Sequence, residues 1–358
     1  MPDQHEGGKN VSHTTLSFAP LAHSSTTRQT YPPMNRHFQT TILPLLILCS
    51  WFASQAKAEE VRIATYNIEN WQYRFDADKL EKRAATQPSW PQEFLDLIAR
   101  EKRENFKDNW GAQLVLEDPA VNADVLVIQE GPELADLEYF NRTFLNKMYE
   151  TIHVFATNTG RIQNTAIFLK PGFSVVEIRE AYHLEPDKDD VNPLTDLLFA
   201  RGPAFVRIKS PSGKEFWVGT NHFKSKSGNS VEVTKWRNAE SKRANEIIKE
   251  IASTSGVADV VFLGDINDEL GNQEFELEAG GSGADLLGEG LVTLTRQLVD
   301  KGEISFGGYR STRFRSFIDH VYATPSAAAK VKSVNVVTTP FARVNSDHYP
   351  VVAVFNFE

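Results

Sequence analysis

The segment VVFLGDIND, residues 260–268, constrains the fold more than any other: four apolar residues run straight into Gly264, Asp265, Ile266, Asn267 and Asp268. A strand that is apolar at every position buries both faces, so it requires a sheet covered on two sides. The segments VRIATYNI (61–68), DVLVIQE (124–130), TAIFLK (165–170), AFVRIKS (204–210), KEFWVGTNHF (214–223), FIDHVYAT (317–324) and YPVVAVFNF (349–357) are also rich in β-branched and aromatic residues and read as strands. Helical spacing falls between them. Leu134, Leu137, Phe144 and Met148 share one stripe, and Val233, Trp236, Ala244, Ile247, Ile248 and Ile251 share another. Phe94, Leu97 and Ile98 mark a third within the polar segment 75–120. All three are packing stripes, so the pattern predicts one α/β domain of sheets covered by helices. The Gly-rich stretch AGGSGADLLGEG (279–290) reads as a flexible loop. A chain of 358 residues, 41% hydrophobic and 24% charged, can bury such a core.

The first 58 residues stand apart from this pattern. From Met34, MNRHFQTTILPLLILCSWFASQAKAEE carries Arg36 and His37, an apolar run from Thr41 to Phe52, then Ala56-Lys57-Ala58. That is the order of a secretory signal peptide. A signal peptide at 34–58 is predicted, with cleavage near Ala58, a catalytic domain at 59–358 and a secreted or periplasmic location. The apolar run is short for a bilayer span, so no stable membrane anchor is expected after cleavage. Residues 1–33, polar and rich in Ser, Thr and His, read as a non-native or unstructured extension. The one cysteine, Cys49, lies in the leader, which leaves the mature chain no disulfide and no thiolate metal site. Chemistry must rest on oxygen and nitrogen groups. The net charge of −9 argues against a protein that coats nucleic acid electrostatically. An enzyme with local basic segments remains compatible with it, and there are two: His222, Lys224, Lys226, Lys235, Arg237, Lys242 and Arg243 in one, Arg310, Arg313 and Arg315 in the other.

Residues two apart on a strand share a face, so Asp265 and Asn267 are expected to point together off the end of a buried strand. Alone, such an end is as readily a turn whose Asp and Asn satisfy the backbone. An EF-hand calcium loop starting at Asp265 would need its glycine one place before Gly271. Recurrence points to a site. IATYNIEN ends a strand in Asn67 and Glu69, VLVIQE in Glu130, and VGTNHF in Asn221 and His222. FIDHV sets Asp319 and His320 within a strand, and NSDHYPVVAVF places Asp347 and His348 just before the last one. Several strand ends bearing Asp, Glu, Asn and His predict a convergent site whose hard oxygen donors suit magnesium, manganese or calcium better than zinc.

In that order, TYNIEN, VIQE, NHFKSKSG, GDIND, IDHV and SDHYP resemble the motifs of the endonuclease/exonuclease/phosphatase superfamily, in particular its secreted bacterial members. The resemblance runs from Val61 to the end of the chain, with a segment 75–120 longer than usual between the first two motifs. It implies a four-layer α/β sandwich, two mixed β-sheets packed face to face with helices on the outer faces, and a divalent-metal phosphodiesterase site at one edge. It also implies Glu130 as principal metal ligand, with Asn67, Glu69 and Asp347 at the same metal or a second one. Asp265 would position or deprotonate the attacking water, Asn267 and His222 would hydrogen-bond non-bridging oxygens, and Asp319 would orient His348. The chemistry asks for such groups independently, because phosphodiester hydrolysis needs an aligned water and charge compensation at the phosphoryl oxygens. A proton acceptor could be Asp265 or His348.

Arg161, Asn164, Asn221 and Lys224 are candidate substrate-binding residues, with loop or solvated-charge roles as the alternative. His320 should face away from Asp319, and His153 and His183 belong to no motif. Asn141-Arg142-Thr143 matches a glycosylation sequon. The expected function is an exported Mg2+-dependent phosphodiesterase, Mn2+ or Ca2+ being alternatives, acting on extracellular DNA or RNA. A sphingomyelinase-like or other small phosphoester hydrolase is the rival, and a non-catalytic module on the same fold the third reading. No protein partner is implied.

Overall fold

The computed structural model describes residues 60–69, 109–159, 163–227, 230–271, 274–307 and 315–357. The predicted extension and signal peptide, Arg161, the stripe at Phe94–Ile98 and most of segment 75–120 lie outside these residues. Among the described residues, twelve strands form two six-stranded sheets. The first sheet contains β1 (Glu60–Asn67), β2 (Val125–Gly131), β3 (Thr151–Val154), β4 (Asn164–Leu169), β11 (Val331–Val336) and β12 (Val351–Asn356) in the order β11-β12-β1-β2-β4-β3. The second contains β5 (Ser174–Arg179), β6 (Ala204–Lys209), β7 (Glu215–His222), β8 (Val260–Asp265), β9 (Val292–Thr293) and β10 (Asp319–Ala323) in the order β5-β6-β7-β8-β10-β9. Each sheet is mixed: β1 runs parallel to β2, and β7 to β8, while the flanking pairs are antiparallel.

Strand alternation builds the layers. Val61 and Ile63 of β1, Val125 and Val127 of β2, Val206 and Ile208 of β6, Phe216 and Val218 of β7, Val261 and Leu263 of β8 and Val321 of β10 form one core between the sheets. The intervening residues face outward onto helices. Ala64, Tyr66, Leu126 and Ile128 pack with Leu137 and Phe140 of helix α1 (Leu134–Thr143) and with Ala112, Val115 and Leu116 at the end of segment 75–120. Phe205, Trp217, Val260 and Phe262 pack with Trp236, Ile247, Ile248 and Ile251 of helix α2 (Val231–Thr254). Helix, sheet, sheet and helix make the four layers expected, and apolar burial on both faces accounts for the unbroken runs.

Three expectations need correction. The stripe through Phe144 and Met148 is shorter as a helix: α1 stops at Thr143, because Asn146 and Lys147 take left-handed backbone, φ 48° and 58°. The Gly-rich stretch 279–290 is not a loose loop. Ser282 caps a short helix, Gly283–Leu287, and a Cβ on Gly283 would lie 2.9 Å from Ser241 Oγ, so glycine lets it seat against α2. The sequon is also spent: Asn141 is buried and both donates to and accepts from the backbone of Tyr149, at 2.8 and 3.1 Å. Among the described residues no helix is long and apolar enough to cross a membrane.

His320 faces away from Asp319, as alternation requires, and is fully buried between Thr295 Oγ1 (2.9 Å) and the Asp268 carbonyl (3.0 Å). Burial lowers its pKa to about 4 from the usual 6.5, so the fold holds it neutral. The unfolded chain takes up this proton first, so the stability it contributes is present above about pH 6.5 and is lost as pH falls toward about 4, by about 3 kcal/mol. Between about pH 7 and 4 the unfolding free energy from denaturant titrations should fall by about 3 kcal/mol more in the parent than in His320→Gln; equal falls would refute it.

Candidate active site

Period-two alternation carries four polar side chains to one place. Asn67 continues the inward-facing row of Val61 and Ile63, His222 that of Phe216 and Val218, Asp265 that of Val261 and Leu263, and Asp319 that of Val321. His222 and Asp319 are the register partners of Asp265 on its two sides, so β7, β8 and β10 set three functional groups abreast. A buried polar layer separates them from the core: Thr65 Oγ1 donates to Gln129 Oε1 at 3.1 Å, and Gln129 Nε2 to Thr220 Oγ1 at 3.5 Å. Glu130 is out of phase, since Val125, Val127 and Gln129 are its strand's inward row. A bulge resolves this. The β2–β4 register shifts between Ile128 and Gly131, and Glu130 takes a left-handed φ of 60°, which turns its carboxylate inward.

The resulting contacts cross between the sheets. Asn67 Nδ2 lies 2.9 Å from Asp265 Oδ2 and 3.3 Å from Glu130 Oε1, linking the two carboxylates. His222 Nε2 stands 3.4 Å from Asp265 Oδ2 and 3.8 Å from Glu130 Oε1. His348 donates through Nδ1 to Asp319 Oδ2 at 2.8 Å, and its Nε2 is 3.8 Å from both Asp265 Oδ2 and Asp347 Oδ1. Two serines brace this histidine. Ser346 Oγ accepts from the His348 amide and donates to the Asn67 carbonyl, which ties the last motif to the first. Ser305 Oγ accepts from the amides of Ile318 and Asp319, while the Phe306 ring meets the imidazole edge-on at 4.9 Å.

Other predicted residues sit farther from this centre or serve it differently. The Glu69 amide donates to Asn67 Oδ1 at 3.0 Å. Asn267 follows β8 in left-handed backbone, φ 55°; its amide donates to Asp265 Oδ1, and its side chain to the Phe223 carbonyl at 3.1 Å. It therefore buttresses Asp265 and does not simply extend the strand. Asn164 pairs with Gly131 beside the Glu130 bulge and donates to the Pro132 carbonyl at 3.3 Å. Asn221 points to the other face of β7, where its Oδ1 accepts the His222 amide at 2.8 Å. The Lys224 ammonium lies over the Trp236 ring, 5.3 Å from its centroid. Lys226 is paired with Asp268 at 2.9 Å and with Glu276 at 3.3 Å. His153 meets Glu180, and His183 a backbone carbonyl, away from the centre. Arg201, nearly buried and close enough to His222 to act on it, is a residue that motif reading missed. The signal available was an arginine set between Ala200 and the Gly202-Pro203 turn that opens β6.

Charge in the cluster is unbalanced. Burial raises Asp265 to about 7; His348 opposes this, and Asp319 and Glu130 reinforce it. Burial likewise raises Asp347, with Glu130 adding to the effect. His348 is pulled down by burial, but Asp319, Asp265 and Asp347 outweigh that and hold it well above the usual histidine range, as an imidazolium. His222 goes the other way, neutral through burial and through the Arg201 and His348 charges, so its approach to Asp265 is not an ion pair. Four carboxylates thus share one centre, two of them resisting ionisation. Ligand atoms of Asp265, Asp319 and His348 all lie within 4.8 Å of one another, and Asp319 Oδ1 is buried without a hydrogen-bond partner. Such a hard, electron-rich donor set suits a divalent cation, which would relieve the repulsion. Because His348 is protonated and already engaged with Asp319, the geometry leaves the Glu130 and Asp265 side as the better place for the ion.

Comparison with known proteins identifies the fold and the family. The family described as Endonuclease/Exonuclease/phosphatase family matches residues 64–348. No curated protein matches the sequence. Among solved structures, zebrafish (D. rerio) TDP2 complexed with a single-strand DNA product superposes with a TM-score of 0.53 at 16% identity, covering 83% of this chain and 99% of that one. An endonuclease/exonuclease/phosphatase from Bacteroides vulgatus gives 0.53 at 18% identity, over 84% and 100% of the two chains. The human Nocturnin catalytic domain with bound sulfate gives 0.51 at 16%, over 84% and 95%. At such identities the likeness establishes the fold. The family match over most of the chain establishes membership: this protein belongs to the endonuclease/exonuclease/phosphatase family and is a metal-dependent phosphodiesterase-type hydrolase.

Proposed function

We propose that the protein is an exported nuclease that hydrolyses phosphodiester bonds of extracellular DNA or RNA by in-line attack of water. The observation that carries the reading is the meeting of Glu130, Asp265 and the His348–Asp319 pair around one buried centre. Asp265 accepts the proton of the attacking water, since its carboxylate is raised into the neutral range while His348 is already protonated. His348, oriented by Asp319, presents its Nε2–H to a non-bridging oxygen and compensates charge as the phosphorus becomes five-coordinate. Neutral His222 offers a second donor on the same side. Glu130 and Asp347, with Glu69 nearby, would hold the cation, Mg2+ or else Mn2+ or Ca2+. Asn67 clamps Glu130 to Asp265 through its Nδ2, while its Oδ1 accepts the Glu69 amide. When bound, the cation supplies Lewis-acid compensation at the phosphoryl and leaving oxygens.

Nucleic acid is favoured over a lipid substrate because zebrafish TDP2 holds single-strand DNA on this fold. In addition, the exposed large aromatics among the described residues, Trp110, Tyr139 and Phe341, sit on separate elements and form no membrane-facing hairpin. Export rests on the leader at 34–58. Incubating the purified 59–358 protein and Mg2+ or Mn2+ with plasmid DNA, RNA, sphingomyelin and a chromogenic phosphodiester tests the substrate. Cleavage of nucleic acid, abolished by EDTA, is expected; turnover confined to sphingomyelin would overturn the nuclease assignment. A mature N-terminus other than Glu59 in the exported fraction would overturn the leader.

A further inference from the structure

Glu240 lies on α2, one layer behind the catalytic centre, and is 1% exposed. A carboxylate is not buried there without partners, and its partners come from two other segments. Its Oε2 accepts the Lys224 amide at 2.8 Å, two residues past His222. The backbone at Ala200 supplies a further hydrogen bond, next to Arg201. The Arg201 and Arg237 guanidiniums both favour its charged form. Arg201 in turn donates to Gln163 Oε1 at 3.0 Å and bears electrostatically on His222.

The segment around Arg201 is seated against the end of β7. Gly202, at φ 87°, approaches so closely that a Cβ would lie 2.9 Å from Asn221 Oδ1. On the other side, fully buried Arg237 pairs through Nε with Asp268 at 3.1 Å, one residue past Asn267, and Lys226 closes on the same carboxylate. The charged groups facing Glu240 are therefore Arg201 and Arg237, with the Lys224 backbone, and behind Arg237 come Asp268 and Lys226. The apolar stripe of α2, Trp236, Ala244, Ile247, Ile248 and Ile251, packs separately on the sheet.

We propose that Glu240 is a positioning residue of the hydrolytic reaction: it holds Arg201 beside His222 and anchors the chain leaving β7, so the phosphate-facing wall of the site is set from the helix behind it. This inference rests on the phosphodiesterase reading above. Burial, opposed by the Lys224 amide and by Arg201, raises Glu240 to about 7, so the clamp tightens as pH rises through neutrality.

Glu240→Gln keeps the size and an oxygen for the Lys224 amide but removes the charge facing Arg201. In saturating Mg2+, parent and variant should agree in kcat/KM within about twofold near pH 5.5, where Glu240 is protonated. At about pH 8.5 the variant should be about tenfold lower, with most of the loss in KM. Glu240→Asp, which keeps the charge but retracts it, should retain the parent's pH dependence at reduced activity. Amide hydrogen exchange over residues 198–203 and 223–227 needs no substrate: at about pH 8.5 it should be about fivefold faster in Glu240→Gln than in the parent. Parallel pH profiles with unchanged exchange would reduce Glu240 to a packing residue and overturn the proposal. If the parent cleaves no phosphodiester, the functional reading fails, while the exchange comparison still decides what Glu240 holds.

Discussion

Replacing His348 by alanine is expected to lower kcat about 10³-fold, one of the two largest effects this site should show. The imidazolium stands buried among acids at close range, 2.8 Å from Asp319 and 3.8 Å from Asp265 and Asp347. Its removal takes away the donor to the phosphoryl oxygen and leaves Asp319 unpaired, at a stability cost of about 1–3 kcal/mol. Asp319→Asn separates the two effects: the side chain keeps its shape, but the charge that stabilises the imidazolium is gone, and kcat should fall about 10²-fold with little change in Tm. Steady-state kinetics with a melting curve for each variant checks this. A His348→Ala enzyme within about tenfold of the parent would remove His348 from the reaction.

Glu130→Ala should be as damaging, but by a different route. Glu130 reaches the centre only because a bulge turns it inward, and its Oε1 lies 3.3 Å from Asn67 and 3.8 Å from His222. Its loss should raise the Mg2+ or Mn2+ concentration for half-maximal activity about 10²-fold, and excess metal should restore part of the rate. His348→Ala, by contrast, should gain nothing from added metal. Mn2+ titration by calorimetry gives the same answer without turnover. A Glu130→Ala enzyme with the parent's metal dependence would move the ion to other ligands, the Asp265, Asp319 and His348 group being the next available.

The strands legible in the sequence were the central ones. All eight segments read as strands correspond to β1, β2, β4, β6, β7, β8, β10 and β12, whereas β3, β5, β9 and β11, which escaped notice, are the four edges of the two sheets. Edge strands are half covered, so they lack the unbroken apolar run that marked the others: β11 reads VKSVNV, and β5 SVVEIR, with exposed residues in both. The Gly-rich stretch misled for a related reason. Glycine signals freedom in sequence, yet at Gly283 it serves close contact with α2.

The sequence by itself determined that apolar strands would end in acids, amides and imidazoles, and strand periodicity gives Asn67, His222, Asp265 and Asp319 the direction of the apolar row on each one's own strand. Only the tertiary structure decided the rest. The bulge that turns Glu130 inward, the serine that ties Asn67 to His348 and the Glu240 carboxylate that takes the Lys224 amide depend on contacts between segments 16 to 279 residues apart. A local period of two carries side-chain direction along one strand; it carries nothing about which strand lies alongside, and burial and charge follow from that neighbour.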